Sequence, residues 1–367
     1  MGRSGGVGDI RAMIHGKRLN IGFYRYSLLN RGGDRLSLAY ANHLASIGHN
    51  VTLHVKEMNT VFDISPALKV DFVNCAGRAG FLLHASTHNL NHDIVIVDII
   101  HLHLLLSLHN KEVVYYAQAD DVEYYDGKSM RTLIDVLYRI QFHSQKPVIS
   151  MSQHLTDIFK LRYAPGNVIT LKTGIDHGSF YPDPDVELIQ LKGEKKAVVL
   201  MARGDSYRKG FDLSFQVLES LNSDTAAGIE LWVCGNRLSQ NNFKFTTRNF
   251  GVVSDLRLRQ ILSSADIFFY PSRHEGFGLF PLEAMACGCV VVTTDAIPYA
   301  RQTSSILVSP VGDVPSLVSN LEHIVSDNNL LADLSEKAIK CALSYDFEES
   351  KAAFVDAVHT IVAGHNQ

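Results

Sequence analysis

Glu275 and Glu283 lie within His274-Glu-Gly-Phe-Gly-Leu-Phe-Pro-Leu-Glu-Ala-Met-Ala-Cys-Gly288, with seven residues between them. Apolar runs flank this stretch, Asp266-Ile-Phe-Phe-Tyr-Pro271 before it and Cys289-Val-Val-Val-Thr293 after it. Strand, loop, helix, strand is a βαβ unit, and such units hold ligands in the loop after the first strand. Pro281 suits the first turn of the helix. The free amides of that turn, with the helix dipole, favour an anion. Gly276 and Gly278 let backbone approach a ligand closely. Glu283 is expected in the first turn, where a phosphate would repel it and a neutral diol such as a ribose would not. Glu275 stands at the carboxyl end of the strand, where a ligand cleft is expected. Taken alone, such acids are helix-start or loop carboxylates more often than functional groups.

A second stretch, Ala202-Arg-Gly-Asp-Ser-Tyr-Arg-Lys-Gly-Phe211, also follows an apolar run, Ala197-Val-Val-Leu-Met201. Arg203 offers a fork and Lys209 a point charge, and both suit a diphosphate. Two cations and a helix terminus would neutralise it without a metal; a solvated basic loop is the plain alternative. Gly32 and Gly33, in Arg31-Gly-Gly-Asp34, can present amides to a phosphate or sugar, although a lone Gly-Gly is a weak signal and a simple turn is the default. The third glycine of a dinucleotide-binding loop is missing. His103 follows a predicted strand end and is a candidate polar group at the cleft. Asp183-Pro-Asp185 has metal-ligand spacing but sits between prolines and reads as a turn. No Cys/His cluster, Walker loop or Gly-x-Ser-x-Gly elbow is present, so no metal and no cofactor are expected.

These residues need elements to position them. The chain has 367 residues, 46% of them hydrophobic, which is enough for two cores. Apolar strands alternate with helices, which implies parallel sheets covered on both faces. The first half has strands at 19–24, 51–55, 93–98, 113–117, 147–150 and 167–171. Its helix at 130–142 is amphipathic, with Leu133, Val136, Leu137 and Ile140 on one face. The Gly-, Pro- and Asp-rich run from Thr173 to Asp185 breaks the pattern, which restarts at Ala197. The expected layout is a lead-in at 1–17, a first Rossmann-like domain at 18–175 and a linker at 176–186. A second Rossmann-like domain follows at 187–345, then a final helix at 346–367.

Net charge is −4, which argues against a nucleic-acid binder. Residues 1–175 carry 18 Lys and Arg against 14 Asp and Glu, whereas the remainder carries 16 against 24. Five scattered cysteines imply a reducing, cytoplasmic setting. No apolar run of about 18 residues exists, so peripheral contact is the expected limit of any membrane association.

The two motifs together resemble retaining, nucleotide-sugar-dependent glycosyltransferases of family 4, which have the GT-B fold. Glu275 and Glu283 in Glu-Gly-Phe-Gly-Leu, Arg203 with Lys209-Gly210, the Gly32-Gly33 pair, Gly48-His-Asn-Val51, Gly174-Ile-Asp176 and Ala265-Asp-Ile-Phe-Phe-Tyr-Pro-Ser272 follow the family's order. The resemblance covers roughly residues 18 to 360 and implies an α/β GT-B architecture with two doubly wound domains facing a cleft. It implies that Arg203 and Lys209 bind the donor diphosphate and that Glu283 holds the ribose. Glu275 would touch the sugar near its anomeric centre. Gly276, Phe277, Gly278 and Leu279 would line sugar and phosphate, with Gly32 and Gly33 approaching from the first domain. The acceptor would be a glycan, a lipid-linked or a small molecule with a hydroxyl group, entering over the more basic first domain. The final helix would return to that domain.

Two positions depart from the family. Gln118 in Tyr115-Tyr-Ala-Gln-Ala-Asp120 stands where a histidine faces the sugar; Gln118 and Asp120 are then sugar or acceptor contacts. Tyr299 stands where an acid is usual. A nucleotide-sugar epimerase and a non-catalytic nucleotide-sugar binder are the alternative readings.

Overall fold

The computed structural model describes residues 17–125, 127–164, 166–202, 207–236 and 245–364. Contacts divide it into two compact units, one up to Lys172 and again from Glu348, the other from Thr173 to Phe347. In the first unit the chain runs β1 (Asn20–Leu28), α1 (Gly32–Ser46), β2 (Asn50–Met58), β3 (Lys69–Phe72), α2 (Gly77–Thr87), β4 (Ile94–Val97) and α3 (Ile100–Leu106). It continues with β5 (Val113–Ala117), a 3-10 turn at Asp121–Tyr124, α4 (Lys128–His143), β6 (Val148–Ser150), α5 (Gln153–Tyr163) and β7 (Val168–Thr170). The second unit holds α6 (Val186–Lys192), β8 (Lys196–Ala202), α7 (Phe211–Ser220), α8 (Ser223–Gly228), β9 (Ile229–Gly235), β10 (Thr247–Gly251) and α9 (Asp255–Ser264). Then come β11 (Ile267–Tyr270), α10 (Leu279–Ala286), β12 (Val290–Thr294), β13 (Ile306–Ser309), α11 (Val314–Ser326) and α12 (Asn328–Ala342). From Glu348, α13 (Phe347–Gly364) belongs to the first unit.

The first sheet has the order β3-β2-β1-β4-β5-β6-β7 and the second β10-β9-β8-β11-β12-β13. All recorded strand pairings are parallel, with Ile21 opposite Val51 in one sheet and Ile267 opposite Val198 in the other. Central strands such as Ile94-Val-Ile-Val97 and Val290-Val-Val are buried along their whole length, as helices on both faces require. Each sheet reverses direction beside its first strand, between β1 and β4 and between β8 and β11. Doubly wound sheets bind ligands at the carboxyl ends of the strands at such a reversal.

In the first unit α13 stacks Phe354 on Tyr40 with ring centroids 4.2 Å apart, and Tyr40 shares a 2.7 Å hydrogen bond with Ser350. The stretch 176–186, read from composition as a linker, is instead packed within the second unit. Asp183 pairs with Arg259 at 2.9 Å and Asp185 with Arg257 at 2.7 Å. Asp185 also caps α6 by accepting from the amides of Glu187 and Leu188. The Asp-Pro-Asp run is therefore a helix start anchored on α9, and its carboxylates are spent on arginines. Among the described residues no helix is long and apolar enough to cross a membrane.

Candidate active site

The second unit gathers its predicted residues at the reversal between β8 and β11. The loops that follow these two strands are tied together. The Arg273 amide donates to the Arg208 carbonyl at 2.9 Å, and the Arg273 guanidinium grips both oxygens of Asp212 at 2.6 and 2.7 Å. Gly210, at φ +69°, starts α7 and lies so close to the Pro271 carbonyl that a Cβ there would collide with backbone. This close approach brings Lys209 onto Glu275, with Nζ 2.5 Å from Oε1.

Glu275 is buried, and the same carboxylate oxygen accepts from the Tyr270 hydroxyl at 2.8 Å and lies 3.3 Å from Ser272 Oγ. Burial pushes its pKa up, but the Lys209 charge and hydrogen bond, with Arg208 and Tyr270, outweigh it and hold the carboxyl below its ordinary value. Glu275 is thus ionised at neutral pH at a strand end. Arg203, the second predicted cation, lies outside the described residues.

Gly276, Phe277 and Gly278 are buried and Leu279 is half-buried. The helix begins at Leu279, two residues before the expected start at Pro281, because Gly278 takes φ +96° and serves as its N-cap. No side-chain hydrogen bond caps this end, and the helix dipole there favours an anion. The earlier start moves Glu283 into the second turn, where it is fully buried. Tyr299, the departure from the family pattern, has a structural task. Its hydroxyl donates to the Gly278 carbonyl at 2.5 Å, and its ring meets Phe277 and Tyr345 at centroid distances of 5.5 and 5.4 Å. Burial lifts its phenol far above the ordinary range, so it remains a donor. Tyr299 clamps the glycine turn.

The first unit treats its candidates differently. Gly32 and Gly33 are not a loop but the first residues of α1. A Cβ on Gly33 would strike the carboxamide of Gln118, whose Nε2 donates to the Gly33 carbonyl at 3.0 Å and to Ser37 Oγ at 2.7 Å. Both Gln118 N–H donors are therefore committed to α1 rather than offered to a sugar. Asp120 is fully buried, pairs with Arg162 and accepts from the Val122 amide at 3.1 Å as cap of the 3-10 turn. His103 lies inside α3, fully buried, with Nε2 2.9 Å from the Val113 carbonyl. Burial drives its pKa down to about 4, so it is a neutral core group tying α3 to β5. The sequence places His103 after the strand at 93–98 with no helix there, because a short apolar run shows no helical period of its own.

Sequence reasoning missed a charge network at the first unit's own reversal. Arg25 pairs with Asp34 and, at 2.8 Å, with Asp98, while Arg31 Nε reaches Asp34 at 2.7 Å. Asp121 sits beside it, buried, accepting from the Ile100 amide at 3.0 Å. Burial first, then the charges of Asp98 and Asp120, push its pKa up to about 7. The partners Tyr270 and Ser272 of Glu275 were visible as residues of the flanking strand, but nothing in their spacing marks that contact.

The profile of the family described as "Glycosyl transferases group 1" matches residues 187–341. The chain is 27% identical over 189 residues to the lipopolysaccharide core biosynthesis glycosyltransferase LpsE of Rhizobium meliloti, covering 48% of this chain and 53% of that protein. It is 26% identical over 232 residues to the N,N'-diacetylbacillosaminyl-diphospho-undecaprenol alpha-1,3-N-acetylgalactosaminyltransferase of Campylobacter jejuni, covering 59% and 61%. The chain thus spans little more than half the length of these relatives. Sucrose-phosphate synthase of Thermosynechococcus elongatus superposes with TM-score 0.79 at 14% identity, covering 95% of this chain and all of that one. The chain has the GT-B fold, and its residues 187–341 match the group 1 glycosyl transferase family.

Proposed function

We propose that this protein moves a sugar from a nucleotide diphosphate-sugar to an acceptor hydroxyl, with retention of anomeric configuration and without a metal. The observation that supports it most is the Lys209–Glu275 pair, 2.5 Å apart where β8 and β11 end. The Lys209 ammonium, held in place by Glu275, is a cation positioned to meet a diphosphate. The bond from the anomeric carbon to the diphosphate oxygen breaks, and Lys209, the first-turn amides of α10 and the proposed second cation Arg203 take up the charge left on that oxygen. A new bond forms from the acceptor oxygen to the same face of the carbon, and the acceptor proton passes to the departing diphosphate. Glu275, ionised, orients the sugar hydroxyls and offsets positive charge at the anomeric carbon. Glu283 is assigned to the ribose, and the backbone of Gly276, Phe277, Gly278 and Leu279 to the sugar and phosphate.

The similarity to LpsE and to an enzyme named for a diphospho-undecaprenol acceptor favours a glycan or lipid-linked glycan acceptor and a place in surface-glycan assembly at the cytoplasmic side. The test is transfer from a panel of nucleotide sugars to polyprenyl-diphosphate saccharides, read by product mass and anomeric NMR coupling. One donor should yield an extended α- or β-product with the donor's own configuration, unaffected by EDTA. Inversion, or complete loss with EDTA, would sink the reading.

A further inference from the structure

The apolar face of α4 at Leu133, Val136, Leu137 and Ile140 is not the face that packs on the first unit. Ile134, Tyr138, Gln141 and Phe142 are buried instead, with Tyr138 and Phe142 stacked among Phe159 and Tyr163 of α5. Met130, Leu133, Val136 and Ile140 are each between 40% and 52% exposed. At helical spacing these four fall within an arc of about 120°. Lys128, Arg139 and His143 occupy the adjoining arc, all exposed. Residues 128–146 hold four Lys and Arg against the single acid Asp135. Arg139 pairs with that acid at 2.9 Å, but its side chain is 63% exposed, so the pair is readily exchanged for another anion.

Three faces are therefore distinct: one docked, one aliphatic and bare, one basic. We propose that α4 docks the first unit onto an anionic bilayer. Met130, Leu133, Val136 and Ile140 enter the acyl boundary, and Lys128, Arg139 and His143 meet lipid phosphates. A second copy fits less well, since it would bring like-charged rows together. A protein partner also fits less well, because the stripe lacks the Trp and Tyr anchors on which such interfaces rely. The inference does not rest on the glycosyl-transfer reading, because binding is measured without substrate.

The test is co-sedimentation of the full chain with phosphatidylcholine vesicles and with vesicles containing phosphatidylglycerol. The wild type should bind the anionic vesicles, and binding should fall several-fold between about 0.1 M and about 1 M salt. Leu133→Asp with Ile140→Asp should lower partitioning at least about tenfold. Lys128→Glu with Arg139→Glu should weaken binding to anionic vesicles only. Leu161→Asp, at an 88% exposed site on α5, should bind as wild type, with melting temperatures confirming that every variant folds. Failure of the wild type to bind would overturn the proposal, as would wild-type binding by the Leu133/Ile140 variant. So would a dimer that this variant dissolves, which would place a second copy on the stripe.

Discussion

Two crevices of the same topology are built differently in this molecule. Each lies where a parallel sheet reverses beside its first strand. In the first unit the protein fills that place with its own charges: Arg25 bridges Asp34 and Asp98, Arg31 adds to Asp34, and Gln118 is fastened to Gly33 and Ser37. In the second unit α7 and α10 start behind left-handed glycines, without side-chain caps, around one ammonium–carboxylate pair. Topology supplies the location. The side chains at the helix starts decide whether an anion from outside is needed there.

The sharpest way to break this contrast is to neutralise one carboxylate in each crevice. Glu275→Gln keeps the shape, and it should cut transfer by about 10² to 10³ and lower the melting temperature at neutral pH, since Lys209 loses its carboxylate. Asp98→Asn should cost less than about tenfold in the same assay. Lys209→Ala is a poorer probe, because stranding the buried Glu275 carboxylate would cost about 3 kcal/mol of stability.

A second contrast is steric. Gly210→Ala drives a Cβ into the Pro271 carbonyl at a positive φ, whereas Gly33→Ala meets only the movable Gln118 carboxamide. Gly210→Ala should destabilise by about 3 kcal/mol or more and Gly33→Ala by about 1 kcal/mol, as read by urea unfolding.

The crevices should also differ in pH dependence. The folded pKa of Asp121 is raised to about 7. Its neutral form is the favoured one, so its contribution is greatest below about pH 4 and is lost as pH rises towards 7. Asp121→Asn should therefore gain stability over wild type at pH 8 and lose that gain at pH 4. Glu275 is shifted the other way; its contribution is present above the ordinary carboxylate range and is lost as pH falls through the folded value. Stability of Glu275→Gln should approach that of wild type at the acid end. Parallel slopes for the two variants would contradict the assignment. The smallest effect is expected at Tyr299→Phe, where losing one hydrogen bond to Gly278 should cost about 1 kcal/mol and raise donor KM a few-fold.

Much of the second unit was legible because its chemistry is local in sequence. Gly278, Pro281 and Glu283 lie on one loop and helix, and Lys209 and Gly210 on another, each following a plainly apolar strand. The first unit was less legible because its chemistry is not local. Arg25 and Asp98 are joined only by strand order, and no spacing reports it. β3 is a short, exposed edge strand, and α3 is only seven residues long and mostly apolar, so neither shows its own period. Gln118 was placed correctly after β5, but its partners Gly33 and Ser37 come from a helix far away in sequence. The amphipathic face of α4 was legible as a pattern, though not which way it turns.

Calorimetric titration with a panel of nucleoside diphosphates tests the central claim most directly. It compares wild type, the neutral double variant Lys209→Gln/Glu275→Gln, and Asp98→Asn. The account predicts that one nucleoside diphosphate binds wild type and Asp98→Asn alike and that the double variant loses it. Binding retained by the double variant, or lost in Asp98→Asn alone, would place the diphosphate elsewhere and contradict the account.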